Sequence, residues 1–208
     1  MCKILKKIKN KTAEDLLKEY YSRDSFAVDI VEVVHNIGIK LVSTNFYNME
    51  KMPMFKEQVQ KHGNILGAVY VDKDDVTIAY SEILSYYKEY KDLSEIDKAD
   101  KLKKRQRFTI AHELAHCCLH MADQDGSHIE YRDEQADYND IKEREANIFA
   151  GELLMPTDTV KFIADFFGYV LSSVALSNIF MVSRNVVRAR LNYLKEINVL
   201  PVQTKIIE

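Results

Sequence analysis

Hydrophobic positions along the chain follow two spacings, and their order predicts a mixed α and β protein. Thr12-Ala13-Glu14-Asp15 has the cap and first-turn acids of a helix start, and Leu16, Leu17 and Tyr20 continue an apolar face. Ser25 is placed to cap a second helix carrying Val28, Val31 and Val34, which Gly38 stops. Residues 39–42 then alternate as a short strand. Residues 64–80 predict a hairpin: Gly67-Ala68-Val69-Tyr70-Val71 and Val76-Thr77-Ile78-Ala79-Tyr80 are β-rich, with Asp72-Lys73-Asp74-Asp75 as turn chemistry between them. Residues 81–104, rich in Tyr, Lys and Asp, predict an exposed connection with some helix.

The strongest helical pattern covers 105–119, where Ala111, Leu114, Ala115 and Cys118 recur at i, i+3, i+4 and i+7. Residues 121–140 are acidic, hold Gly126 and carry few apolar positions, which predicts a loop with at most a short hairpin. A second buried helix is expected over 141–155, ending before Pro156. Three short helices are expected near 157–167, 172–180 and 184–196, and no internal repeat is visible.

Composition narrows the class without naming a function. The chain has 208 residues, 47% hydrophobic and 29% charged, with 6 Gly and 3 Pro, which suits a globular core and excludes low-complexity chains. Net charge is −3, so bulk electrostatics do not announce a nucleic-acid binder. The charge is uneven: +5 over residues 1–11, −10 over 12–155 and +2 over 156–208. Three Cys, two of them adjacent, do not make a disulfide framework and fit a reduced, cytoplasmic setting. The start MCKILKKIKNK has no long apolar core of a signal peptide, and no run of about 18 apolar residues predicts a membrane span.

Chemistry concentrates at His112-Glu113-Leu114-Ala115-His116, the H-E-x-x-H pattern. On a helix, positions i and i+4 share a face, so two imidazoles converge on one Zn²⁺ while the intervening Glu serves as general base toward water. Composition alone yields roughly 0.01 such patterns in a chain of this kind. Zinc then requires a third protein ligand. His120 follows without the Gly that would turn the chain back, lies about 6 Å further along the axis, and is expected to interact with the dipole at the helix end. The start of the second buried helix, Glu143-Arg144-Glu145, is the better source. Glu145 lies one turn before Phe149, on the side expected to face the core, and is the expected third ligand, with Glu143 as runner-up. His35 is expected on a helix surface and His62 in a loop, and His128, Tyr131 and Tyr138 are expected as surface groups of the loop between the two helices.

RQRFTIAHELAHCCLH at 105–120 followed by EREANIFAGELLMP at 143–156 resembles the ImmA/IrrE family of zinc metallopeptidases. Weaker similarity covers 25–80, and the C-terminal third fits the family habit of a helix-turn-helix-like segment. The resemblance implies His112 and His116 as zinc ligands, Glu113 as catalytic acid/base and Glu145 as third ligand. It implies an α+β, zincin-like (thermolysin-type) core with a small β-sheet. It further implies a protein substrate, typically a helix-turn-helix repressor of mobile elements or stress genes. Two departures stand out. Ala115 replaces the usual Gly of H-E-L-G-H. Phe149 also occupies the position one turn after Glu145 where thermolysin-like enzymes carry an Asp that orients a zinc-bound His. Orienting support is therefore expected from Asp137, Asp140 or Asn147.

The C-terminal segment ALSNIFMVSRNVVRARLNYL reads as two short helices, the second capped by Ser183, with Val186, Val187, Leu191 and Leu194 inward and Arg184, Arg188 and Arg190 outward. With only +2 on this piece, packing on the peptidase and docking of protein substrate are preferred over DNA contact. The expectation is thus a metallopeptidase domain over 1–155 and a small helical, helix-turn-helix-like unit over 156–208. Its reaction is Zn²⁺-dependent endopeptidase hydrolysis. The alternative is a DNA-binding or protein-binding regulator whose zinc is structural or sensory.

Overall fold

The computed structural model describes residues 2–22, 25–46, 65–83, 90, 92–121 and 140–208, together with the backbone of 128–133. His62, Asp137, Tyr138 and the side chains of His128 and Tyr131 lie outside the described residues. Three short helices open the chain: α1 (Lys3–Ile8), α2 (Ala13–Tyr20) and α3 (Ile30–Ile37). Thr12 caps α2 as expected, in a reciprocal capping box with Asp15. The cap of α3 is Asp29, whose carboxylate accepts from the Val31 and Glu32 amides, while Ser25 Oγ donates to the Ala27 carbonyl instead of starting the helix. Gly38 ends α3 at φ 98°, the left-handed conformation that glycine adopts without a Cβ penalty.

The strands β1 (Lys40–Thr44), β2 (Ile65–Asp72), β3 (Asp75–Ser81) and β4 (His128–Asp133) form one sheet of order β1-β3-β2-β4. β1 runs parallel to β3, whereas β2 pairs antiparallel with both β3 and β4. The hairpin register places Asp72 opposite Asp75, and Lys73 takes a left-handed φ of 54° in the turn.

Across the sheet packs α4 (Glu95–Leu119), 25 residues and about 37 Å long. It begins ten residues before the expected start at 105, because Ser94 caps it and the charged first turns need no apolar stripe. Ion pairs of Lys98 with Glu95 and of Lys104 with Asp100 run along this first half. The second half, from Thr109 to Cys118, is buried throughout. α5 (Ile141–Leu154) lies against α4, and Ala146 and Ala150 give the two helices close approach.

Beyond it come α6 (Thr157–Phe166), α7 (Ser173–Phe180) and α8 (Arg184–Glu196), with β5 (Val170–Ser172) and β6 (Lys205–Ile207) forming a small parallel pair. Those strands are too short for a sequence pattern to reveal. One contiguous core contains Leu114 and Ala115 of α4, Ala146 and Leu153 of α5, and Val187, Leu191 and Leu194 of α8. It therefore runs across the expected boundary after residue 155. Two cations of α4, the buried Lys104 and the half-buried Arg107, reinforce this junction: Lys104 donates to Ser177 and Asn178, and Arg107 donates to the carbonyls of Val28, Phe180 and Met181. Cys2, Cys117 and Cys118 are buried thiols outside any disulfide, and burial pushes the Cys118 thiol far up.

One outward assignment is corrected. Arg190 is 3% exposed, donating to the Met155 carbonyl and to Thr157 Oγ1. It sits three residues after Val187 and four before Leu194, on the same inward stripe. Arg184 and Arg188 do lie on the outer side, and both pair with Glu208.

Candidate metal centre

Two turns of α4 and the first turn of α5 meet at a buried polar cluster. His112 is fully buried and His116 is 7% exposed, and their Nε2 atoms lie 2.9 Å apart. Glu143 completes the group: its Oε2 is 3.2 Å from His112 Nε2 and its Oε1 is 3.1 Å from His116 Nε2. Among the described residues these three form the group of potential metal ligands.

The third position differs from the expected one. Glu145 is more than half exposed, and its Oε2 lies 3.7 Å from His120 Nε2 instead of reaching His112 and His116. The reason is helix phase. Glu143 shares the stripe of Ala146, Asn147 and Ala150 that faces α4, while Glu145 stands about 200° around the axis from it. The runner-up position is therefore the one the fold brings to the histidines. His120, as expected, sits at the end of α4, where its Nε2–H donates to the Lys142 carbonyl and ties the two helices together.

Asn147 resolves the missing orienting group. Its Oδ1 accepts from His112 Nδ1 at 3.0 Å, which leaves the Nε2 lone pair directed at Glu143 and His116. Asn147 is one turn after Glu143, so the position that Phe149 fails to fill relative to Glu145 is filled relative to Glu143. Asp140, another expected supporter, instead caps α5 by accepting from the Lys142 amide.

The donor set suits a divalent cation. Tetrahedral bonds of 2.0–2.1 Å separate ligand atoms by about 3.3 Å, close to the 2.9–3.2 Å found here. Two imidazole lone pairs and a carboxylate packed this closely are mutually unfavourable until a cation or protons sit among them. Burial raises the Glu143 carboxyl, but hydrogen bonding and charge from His112 and His116 outweigh it and hold the group well below the usual range.

Glu113 lies on the same stretch of α4 and is 1% exposed. β2 accommodates it by offering a glycine: a Cβ on Gly67 would come within 2.7 Å of Glu113 Oε1 and 2.5 Å of Thr109 Cγ2. The sheet thus brings bare backbone against the helix where a side chain would displace the carboxylate. Nothing in the one-dimensional pattern marks Gly67 for this role, since it also reads as an ordinary strand glycine.

Residues 98–192 match the model of peptidase family M78, described as the IrrE N-terminal-like domain. This part of the chain is similar to an IrrE N-terminal-like domain. The match runs from the first turns of α4 to the middle of α8 and includes all the residues of the cluster. It agrees with the ImmA/IrrE resemblance of the two motifs and supports a peptidase. Neither curated proteins nor solved structures provide a match to the chain. Among the described residues no helix is long and apolar enough to cross a membrane.

Proposed function

We propose that the protein is a zinc-dependent endopeptidase that cleaves a regulatory protein, a helix-turn-helix repressor being the favoured substrate. The observation that carries this reading is the convergence of His112 Nε2, His116 Nε2 and the Glu143 carboxylate beside a buried Glu113 within a peptidase-family domain. His112, His116 and Glu143 would hold the ion, which takes the place of the His112, His116 and Glu145 set expected first. Bound there, zinc supplies a Lewis acid for the scissile carbonyl and lowers the pKa of water.

The chain's own residues supply the rest. Asn147 fixes the His112 ring by accepting its Nδ1–H. Glu113 takes the proton of the attacking water on its carboxylate and delivers it to the leaving amine. Gly67 leaves room for that carboxylate against β2. In this reading the elements before residue 156 perform catalysis, and those after it contribute to substrate contact. Pairing of Arg184 and Arg188 with Glu208, and burial of Arg190, favour protein docking over a DNA-reading helix.

The direct test incubates the zinc-loaded protein with repressors encoded near its gene and analyses the products. One discrete cleavage, abolished by Glu113→Gln, is expected. Cleavage at the wild-type rate by Glu113→Gln would overturn the mechanism. Sequence-selective, salt-sensitive DNA binding with no affinity for any repressor would replace it with a regulator.

A further inference from the structure

A cavity of about 610 Å³ opens beside the metal centre, between α4, α5 and α8. Two of its lining residues belong to the centre's own supports: Asn147 holds His112, and Thr109 packs with Glu113 against Gly67. A chain lying across the centre therefore reaches this space directly. Its charge is one-sided. Lys101, Lys104, Arg105, Arg144 and Arg190 line it, and no carboxylate is among the described lining residues. Four of these five cations belong to residues 12–155, whose net charge is −10.

Among the described residues, Asp100 lies 2.9 Å from Lys104 and Glu152 lies 3.7 Å from Arg190, both acids outside the cavity. Arg190 still has donor capacity in reserve, because its buried Nη1 makes no hydrogen bond among the described residues. Lys101 and Arg144 are exposed at the cavity wall, and neither forms an ion pair among the described residues. Guanidinium groups grip carboxylates through paired N–H donors, and cations grouped around one cavity attract anions at long range.

We propose that this cavity binds an acidic stretch of the substrate chain flanking the cleaved bond, so that the enzyme selects Asp and Glu on one side of its cut. The identity of the occupant as substrate rests on the peptidase reading above; the selectivity for acidic peptide does not. Contiguity with Asn147 and Thr109 favours a peptide over a small free anion, because a segment crossing the metal centre would have this cavity beside it.

The test has a binding arm and a cleavage arm, both on the full-length zinc-loaded protein. Binding of fluorescein-labelled hexaglutamate and hexalysine is measured by anisotropy on the Glu113→Gln protein. Hexaglutamate is expected to bind and hexalysine not. Adding Lys101→Glu with Arg144→Glu should weaken hexaglutamate at least about tenfold. Lys6→Glu with Lys161→Glu, at exposed positions outside the cavity, gives the same charge change and should have little effect. The cleavage arm digests a proteome-derived peptide library and reads residue preferences around each Glu113-dependent cut. Asp and Glu are expected to be enriched on one side, and the Lys101/Arg144 reversal should erase that enrichment. Equal hexaglutamate binding by the reversal and control variants, or cuts without acidic enrichment, would overturn the cavity assignment while leaving the peptidase standing. Displacement of hexaglutamate by pyrophosphate at much lower concentration would overturn the peptide occupant in favour of a small anion. Cavity-dependent hexaglutamate binding with no Glu113-dependent cut would support the acidic selectivity and remove the peptidase reading.

Discussion

Glu143 and Glu145 are the same residue type two positions apart, yet only Glu143 faces His112 and His116, and the difference can be measured. Glu143→Gln is expected to lose most bound zinc, because a neutral amide replaces the carboxylate 3.1–3.2 Å from both imidazoles. Glu145→Gln is expected to retain about one zinc per chain, which metal analysis of the two purified proteins decides. Asn147→Leu removes the acceptor of His112 Nδ1–H and should weaken zinc by about 10–100-fold in a competitive chelator titration, without abolishing binding. Glu113→Gln is expected to keep zinc and fold while losing turnover, since an amide cannot take up the water's proton. The convergence of His112 and His116 was legible because H-E-x-x-H places both on one face of a helix, with Glu113 between them. The choice between the glutamates required the phase of a second helix. The available signal was local: Asn147 stands one turn after Glu143 and supplies an orienting amide, whereas Phe149 after Glu145 supplies none.

At the scale of elements, the close approach of β2 to α4 makes Gly67 a control point for the position of Glu113. Gly67→Ala places a methyl within 2.5 Å of Thr109 Cγ2 and 2.7 Å of Glu113 Oε1, too close for either to stay. The expected result is a fall in kcat of at least about tenfold with zinc content unchanged, because the ligands lie elsewhere while the carboxylate is moved. Adding Thr109→Ser removes the nearer obstacle and should return part of the rate; an unchanged kcat in Gly67→Ala would show that Glu113 does not depend on this contact. The elements themselves were readable where local chemistry agreed with periodicity, as in the Thr12 capping box, the Gly38 stop and the 65–81 hairpin. They were hidden where burial did not write a stripe. The first ten residues of α4 are helical through Ser94 and charge pairs, so a search for apolar repeats starts the helix too late. Arg190 misled in the opposite sense, since its charge suggested the surface while its spacing from Val187 and Leu194 placed it inside.

For the whole molecule, the cluster of His112, His116 and Glu143 is a clamp between two helices that sequence separates by a long segment. α4 contributes two donors and α5 the third, and the same two helices carry much of the core that extends to α8. A cation bound only when both helices are in register stabilises the folded state by mass action, about 2.7 kcal/mol at a free concentration one hundred times its Kd. For a domain of this size each kcal/mol moves Tm by roughly 2–4 °C, so saturating zinc should raise Tm by about 5–10 °C over the chelated protein. The donors must be deprotonated to bind, so the gain should shrink as pH falls and the histidines take up protons. His112→Ala provides the internal control, because it removes a ligand and should show the same Tm with and without zinc. Calorimetry of wild type and His112→Ala, each with zinc and with chelator, separates the effects. An equal rise in both proteins would mean that zinc binds elsewhere. A rise in wild type alone, lost on acidification, would tie the metal to the junction of α4 and α5, where the fold places its buried polar groups.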